Sequence, residues 1–337
     1  MEEALCHKHK FTPPAFIYAI LWSLVDDKRE MQTAYILIRS ILIMVPGCAV
    51  VFWARMHVVG FAYVCVVVHS VGRDSLPANH YYRHNRKTFK SAIVTKFVNV
   101  MVSVLHGMPI GSYRVQHLMM HHRYTNHATM DANSTMPFQR DNVWHFLWHA
   151  ITTWVLSLWI TLPYHLYKVG RYMHALETVA WMWSHLLAVY WLHTLNPVAA
   201  VWTCIVPSLL TLLSGALHNW GQHMLVNPDR TKCNQVLHNT FNVINTKDNM
   251  SIFNDGYHAV HHGHAGVHWM DYPQHFRDNI ETYKKEGCFY MHGLNNVAIA
   301  ILCLRKRFDL LAKHVVRFDT EPCDTETFLR SRLMQFK

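Results

Sequence analysis

Apolar residues in this chain come in long runs rather than in the two-residue or three-to-four-residue rhythm of half-buried elements. Ala34 to Ala54 is interrupted only by Arg39 and Ser40, and Asn196 to Leu217 carries no charge. Each approaches the roughly 20 residues that a helix needs to cross a bilayer, so both read as spans. Val58 to Val71 is shorter. It follows the first run across a basic turn at Arg55, Met56 and His57, which makes the two a helical hairpin whose far end continues into aqueous helix. Leu176 to Leu195 is a fourth span whose Trp181, Trp183 and Trp191 suit an interfacial belt. Asn196 and Pro197 turn it into the last span.

Composition agrees with this pattern: the chain is 51% hydrophobic and 15% charged, where a soluble domain carries about 25% charged residues. The formal charge of +10 gathers beside the apolar runs, as at Arg83, Arg86, Lys87 and Lys90 and at Arg305 to Arg307. Such flanks face the cytoplasm by the positive-inside tendency, and they speak against a nucleic-acid partner. The eight cysteines (Cys6, Cys48, Cys65, Cys204, Cys233, Cys288, Cys303, Cys323) form no CxxC pair, and several lie in apolar runs, so they read as small core residues. No cleavable signal peptide is expected, because Phe16 to Val25 is short, follows Pro13 and Pro14, and lacks a small-residue cleavage site.

Histidine changes the picture. There are 28 of them against 21 Asp and Glu together, far more than surface decoration needs. They concentrate in His80-Tyr-Tyr-Arg-His84, His117-Leu-Met-Met-His121-His122, Asn219-Trp-Gly-Gln-His223 and His258-Ala-Val-His261-His262. On an α-helix residues i and i+4 lie about 40° apart, so His80 with His84, His117 with His121, and Asn219 with His223 each face one way. His258, His261 and His262 share a face, whereas His122 points about 140° away from His117, so that adjacent histidines can serve two different metals. Nine histidines and one asparagine exceed what one ion of four to six ligands accepts, so two metals are implied. Imidazole alone leaves zinc, copper, nickel and iron open; a reactive site beside lipid favours iron. The Glu-x-x-His pairs of soluble di-iron bundles are absent. His127, His264 and His268 lie beside the clusters as outer donors or substrate-facing residues.

All ten ligands must meet on one membrane side, so an even number of crossings separates successive clusters. Ile93 to Met108 therefore does not cross alone and lies in protein or at the interface. Of the candidates between His122 and Asn219, Val143 to Pro163 goes to the interface, since it carries His145, His149, threonines and Pro163. The expected fold is an all-α integral membrane protein of about four transmembrane helices in two hairpins, with a cytoplasmic helical cap holding the histidines. No repeat or linker is visible, and residues 1–337 read as a single domain.

With its HxxxH, HxxxHH and HxxHH boxes, the chain resembles the membrane fatty acid desaturase superfamily from about Ser70 to Arg277. MMHHRYTNHATMDANSTMPFQRD at Met119 to Asp141 and FNDGYHAVHHGHAGVHWMDYP at Phe253 to Pro273 are similar to segments around the second and third boxes, and NWGQH at Asn219 to His223 to a further ligand site. The resemblance implies that His80, His84, His117, His121, His122, His223, His258, His261 and His262 hold two iron ions, with Asn219 joining them directly or through water. Asp131, Arg140, Asp141, Asn254 and Asp255 would support them. The first box departs from the family in having Tyr81 and Tyr82 where an acidic residue often follows its first histidine. His69 with Arg73 is a rival anchor, although His80 and His84 stand at the better distance from His117.

Such a site implies O2 as co-substrate and a lipid chain as substrate, with desaturation ahead of hydroxylation. HPGG is absent, so no fused cytochrome b5 domain is expected. Electrons would come from an external donor such as cytochrome b5 or ferredoxin, drawn to Arg83, Arg86, Lys87 and Lys90; a phospholipid headgroup is an equally simple target for those charges. The membrane would be the endoplasmic reticulum in a eukaryote and the inner membrane in a bacterium. A metal transporter would place its histidines inside the spans, which the paired clusters avoid. A non-enzymatic metal-binding membrane protein is opposed by the complete ligand set.

Overall fold

A computed structural model describes residues 13–84, 88–227, 235–246, 248–318 and 323–333. Arg86, Lys87, Cys6 and Cys233 lie outside these. The described residues are mostly helical and divide into two compact units, one within 13–118 and 158–213, the other within 119–157 and 214–333.

In the first unit a helix of 24 residues runs over Met31–Ala54 and ends where Arg55 enters the left-handed region at φ 53°. Helix His57–Ser70 follows at once. A bend of 62° then separates it from Ser75–His84, the helix of the first histidine box. The expected continuation into a second, polar helix is therefore present, and the Arg39–Asp74 ion pair at 2.6 Å braces the break. Asn196 caps the next long helix by accepting from Ala199 N at 3.0 Å, and its own amide donates to the Phe52 carbonyl at 2.7 Å. One side chain thus starts one apolar helix and ties it to the end of another.

Among the described residues two helices, Lys28–Ala54 and Pro197–His223, are long and apolar enough to cross a membrane, or three if the bent pair is one span. Tyr172–Leu195 is a helix of 24 residues, but it falls outside that set because His174, Glu177, His185 and His193 dilute its apolar character. Ala92–Leu105 has 14 residues, about 21 Å, which is short of a hydrocarbon core of about 30 Å. It exposes Ile93, Phe97, Val100 and Val104 on one stripe and buries Val98, Val102 and Leu105 on the other.

Arg83 corrects the sequence reading. It is buried, donating to Asn79 Oδ1 at 2.9 Å, to Ser103 Oγ at 3.1 Å and to Asn99 Oδ1. The guanidinium joins the box helix to Ala92–Leu105, so it is no part of a basic docking face.

The second unit also departs from an all-helical fold. Three short strands, β1 (Asn242–Ile244), β2 (Phe289–His292) and β3 (Val315–Arg317), form a sheet in that order. β1 pairs parallel with β2, Val243 opposite Met291, and β2 pairs antiparallel with β3, Tyr290 opposite Val316. Strands of three or four residues are too short to show a two-residue period in sequence. The core around them holds Trp220, Phe241, Val243, Met291, Ile299, Phe308 and Phe328. Against this core lies the one-sided helix Val143–Ile151, which buries Phe146, His149 and Ala150 and exposes Trp144, Leu147, Trp148 and Ile151.

Gly221 marks a close approach: a Cβ there would stand 2.0 Å from the Asn296 carbonyl oxygen and 2.7 Å from its carbon. The obstacle is backbone, which no rotamer change relieves. Gly221→Ala is expected to cost at least the roughly 1–3 kcal/mol of ordinary overpacking, read as a lower unfolding temperature of the detergent-solubilised protein. An unchanged temperature would contradict the packing described.

Candidate metal centre

The second histidine box does not lie on an ordinary α-helix. Val115–His121 is π-helical. Hydrogen bonding from i to i+5 widens the turn beyond that of an α-helix, so the ordinary helical phase does not apply. His117 and His121, expected to face one way, fall into different histidine groups. His117 turns to the first box, with Nε2 2.9 Å from His84 Nε2 and ring centroids 4.3 Å from His80. Tyr113 stacks on the His117 ring at 5.3 Å.

His121 belongs to a different group. It meets His223, His258 and His262, all four buried, with one nitrogen from each lying within 4.8 Å of the others. The greatest separation of two nitrogens across an ion at about 2.1 Å is roughly 4.2 Å, so the set is close to the dimensions of one coordination sphere. His122 points elsewhere, its Nε2 3.0 Å from His261 Nε2. Adjacent histidines do part company, as expected for His121 and His122. The third box is corrected in the same way: His258 and His262 stay together, while His261, three residues from His258 and off the shared i, i+4 line, joins His122.

The outer nitrogens are held by the chain itself. His121 Nδ1 donates to Asp131 Oδ2 at 2.7 Å, and His223 Nδ1 donates to the Asn239 carbonyl at 3.0 Å. His262 Nδ1 meets Thr125 Oγ1 at 3.3 Å, and His261 Nδ1 meets Tyr272 Oη at 3.0 Å. A carbonyl or carboxylate can only accept, so His121 and His223 carry their neutral-form proton on Nδ1 and present a lone pair at Nε2. His223 Nε2 nonetheless stands 2.9 Å from His258 Nε2. The Nε2 of His262 is buried and meets no hydrogen-bond partner. Converging lone pairs with anchored far nitrogens are the arrangement a metal-binding imidazole set requires.

Electrostatics favour the neutral donors. Burial, followed by the imidazoles of His122, His258, His121 and His223, holds His262 well below its ordinary value. Asp131 is pushed up by burial, but His121 and the N–H groups of Asn133 and Asn126 outweigh this and leave its carboxyl below the usual range. Burial raises the Tyr272 phenol, keeping it protonated.

The polar stretch after the second box, which sequence reasoning noted only for its resemblance, is the brace of this site. Asn126 Nδ2 and Thr135 Oγ1 both donate to the His223 carbonyl, at 3.0 and 2.7 Å, and Asp131 also accepts from Asn126 N at 2.8 Å. β1 contributes Asn242, whose Oδ1 accepts from Ala259 N at 2.9 Å and so fixes the start of helix His258–Gly263. Asn126, Thr135, Asn239 and Asn242 were missed. Their density of Asn and Thr beside the boxes was the available signal.

Other expected residues are distributed more widely. Asn219 Nδ2 donates to the Asn133 carbonyl at 2.9 Å and faces His149 Nε2 at 3.4 Å, which leaves Oδ1 as the atom suited to a metal or its water. Asn254 donates to the Trp269 carbonyl at 3.0 Å. Arg140 is buried and donates to the Arg332 carbonyl at 3.2 Å, and Asp141 accepts from Gln139 at 3.0 Å; both contacts are structural. His127 and His268 accept backbone N–H groups within their own turns, and His264 packs on His275 at 4.2 Å.

His149 is fully buried, and burial lowers it to about 4. The unfolded chain binds a proton there below about 6.5 and the folded chain does not. The stability that His149 carries is therefore complete above pH 6.5 and is lost as pH falls from 6.5 towards 4, by roughly 3 kcal/mol. In iron-free protein His149→Gln should flatten the fall of unfolding temperature across that window. An unaltered slope would count against a neutral buried His149.

The family model described as fatty acid desaturase matches residues 53–294. No curated protein and no solved structure matches the chain.

Proposed function

The chain belongs to the fatty acid desaturase family, and from that premise we propose that it is an integral membrane di-iron oxidoreductase that desaturates a fatty acyl or related lipid chain. The observation that carries the reading is the buried group of His121, His223, His258 and His262, with ring nitrogens converging and the Nδ1 atoms of His121, His223 and His262 anchored. These four would hold one iron. His80, His84, His117, His122 and His261 remain iron ligands by the family resemblance, with Asn219 Oδ1 joining directly or through water. About four spans in two hairpins would carry the histidines on the cytoplasmic side.

Bound iron would supply the redox chemistry that couples reduction of O2 to oxidation of an unactivated C–H bond. The overall balance is a –CH2–CH2– unit, O2, two electrons and two protons giving –CH=CH– and two waters. The chain's own residues keep the imidazoles neutral by burial, fix their tautomers at Asp131 and Asn239, and exclude bulk water from the site. An external carrier would deliver the electrons.

Expression in a lipid-synthesising host followed by lipid mass spectrometry tests this. Products lighter by two hydrogens are expected, and His261→Ala should abolish them. Products heavier by one oxygen would identify a hydroxylase instead, and products that survive the substitution would sink the di-iron reading.

A further inference from the structure

Next to the four-histidine group lies a contact that ligand binding does not itself explain. Asp255 is buried on the loop that leads into His258, and a single oxygen, Oδ2, is 2.5 Å from His218 Nε2 and 2.6 Å from Gln222 Nε2. His218 and Gln222 are i and i+4 in helix Val206–His223, one turn apart on one face. The next residue after Gln222 is His223, whose Nε2 lies 2.9 Å from His258 Nε2. One carboxylate oxygen therefore seizes two points of the helix turn that ends at His223, from a position three residues before His258.

Two attachments on one helix face fix rotation about the helix axis as well as distance, which one attachment cannot do. The loop is rigid at the other end too. Phe253 and Asn254 adopt left-handed backbone at φ 60° and 52°. A Cβ on Gly256 would stand 2.6 Å from the Val243 carbonyl of β1, so the loop sits hard against the sheet.

We infer that Asp255 is a positioning residue, clamping His218 and Gln222 so that His223 and His258 keep the separation one metal ion requires. The inference rests on the four-histidine reading above. Gln222 and His218 are held through Asp255.

The test is chelator competition on the detergent-solubilised full chain loaded with Fe2+, or with Co2+ as a spectroscopic probe. Asp255→Asn keeps the shape and loses the charge. It should weaken one of two bound metals by about 10–100-fold, the range for outer partners of metal ligands, and leave the second unchanged. Gln222→Glu combined with Asp255→Asn restores a donor–acceptor pair in the reverse direction and should recover most of that loss. Equal affinity in wild type and Asp255→Asn would overturn the inference, as would equal weakening of both metals, which marks a general loss of fold. A wild type that binds a single metal would refute the two-iron reading and still test Asp255 on that metal.

Discussion

Replacing His262 by alanine is expected to remove one of the two metals and to abolish product formation while the apolar helices remain folded. His262 Nε2 is buried without a hydrogen-bond partner, and its other nitrogen is engaged by Thr125. Nothing in a dry, crowded site replaces that donor. Loss of a ligand should exceed the roughly 10–100-fold penalty in metal affinity that follows loss of an outer partner. The matched control is His264→Ala two residues on, an exposed histidine packed on His275, where metal content and product should be unchanged. Metal analysis and lipid mass spectrometry on the two variants separate the outcomes. A His262→Ala protein that retains both metals would remove His262 from the centre.

The second large effect is expected at Asp131. Its carboxylate is buried and accepts hydrogen bonds from His121 Nδ1 at 2.7 Å and from Asn126 N and Asn133 N at 2.8 and 2.9 Å. The charge makes the His121 bond stronger than a neutral one and raises the basicity of His121 Nε2. Asp131→Asn keeps the size and can still accept one bond, but it loses that charge. Metal affinity should fall by about 10–100-fold, measured by chelator competition, with folding largely retained. Asp141→Asn is the comparison: that carboxylate meets Gln139, and its loss should leave affinity alone. Equal behaviour of the two variants would show that Asp131 is merely structural.

The chain reads differently at different ranges. Ala34 to Ala54 and Asn196 to Leu217 are legible as apolar helices because burial in lipid demands an unbroken run, and a run is a local property. The first box is legible as an i, i+4 pair for the same reason. Arg83 was misread because a basic residue beside an apolar run looks like a surface flank. Only the packing of Ala92–Leu105 brings Asn99 and Ser103 to the guanidinium and makes its burial tolerable.

The sequence by itself pointed to the family, singled out the nine histidines and Asn219 as the proposed ligands, and marked the two long apolar helices that could cross a membrane. Tertiary structure decided how those histidines are shared. His117 and His121 fall into different groups, and the grouping of His121 with His223, His258 and His262 joins residues as much as a hundred positions and more apart. It also decided which nitrogen each ring presents, through Asp131, Asn239, Thr125 and Tyr272, and it placed β1 where Asn242 can start the third-box helix. The physical reason is the same throughout. Residue type and local spacing say what a side chain can do, whereas helix phase, tautomer and burial depend on partners that only the folded chain brings within a hydrogen bond.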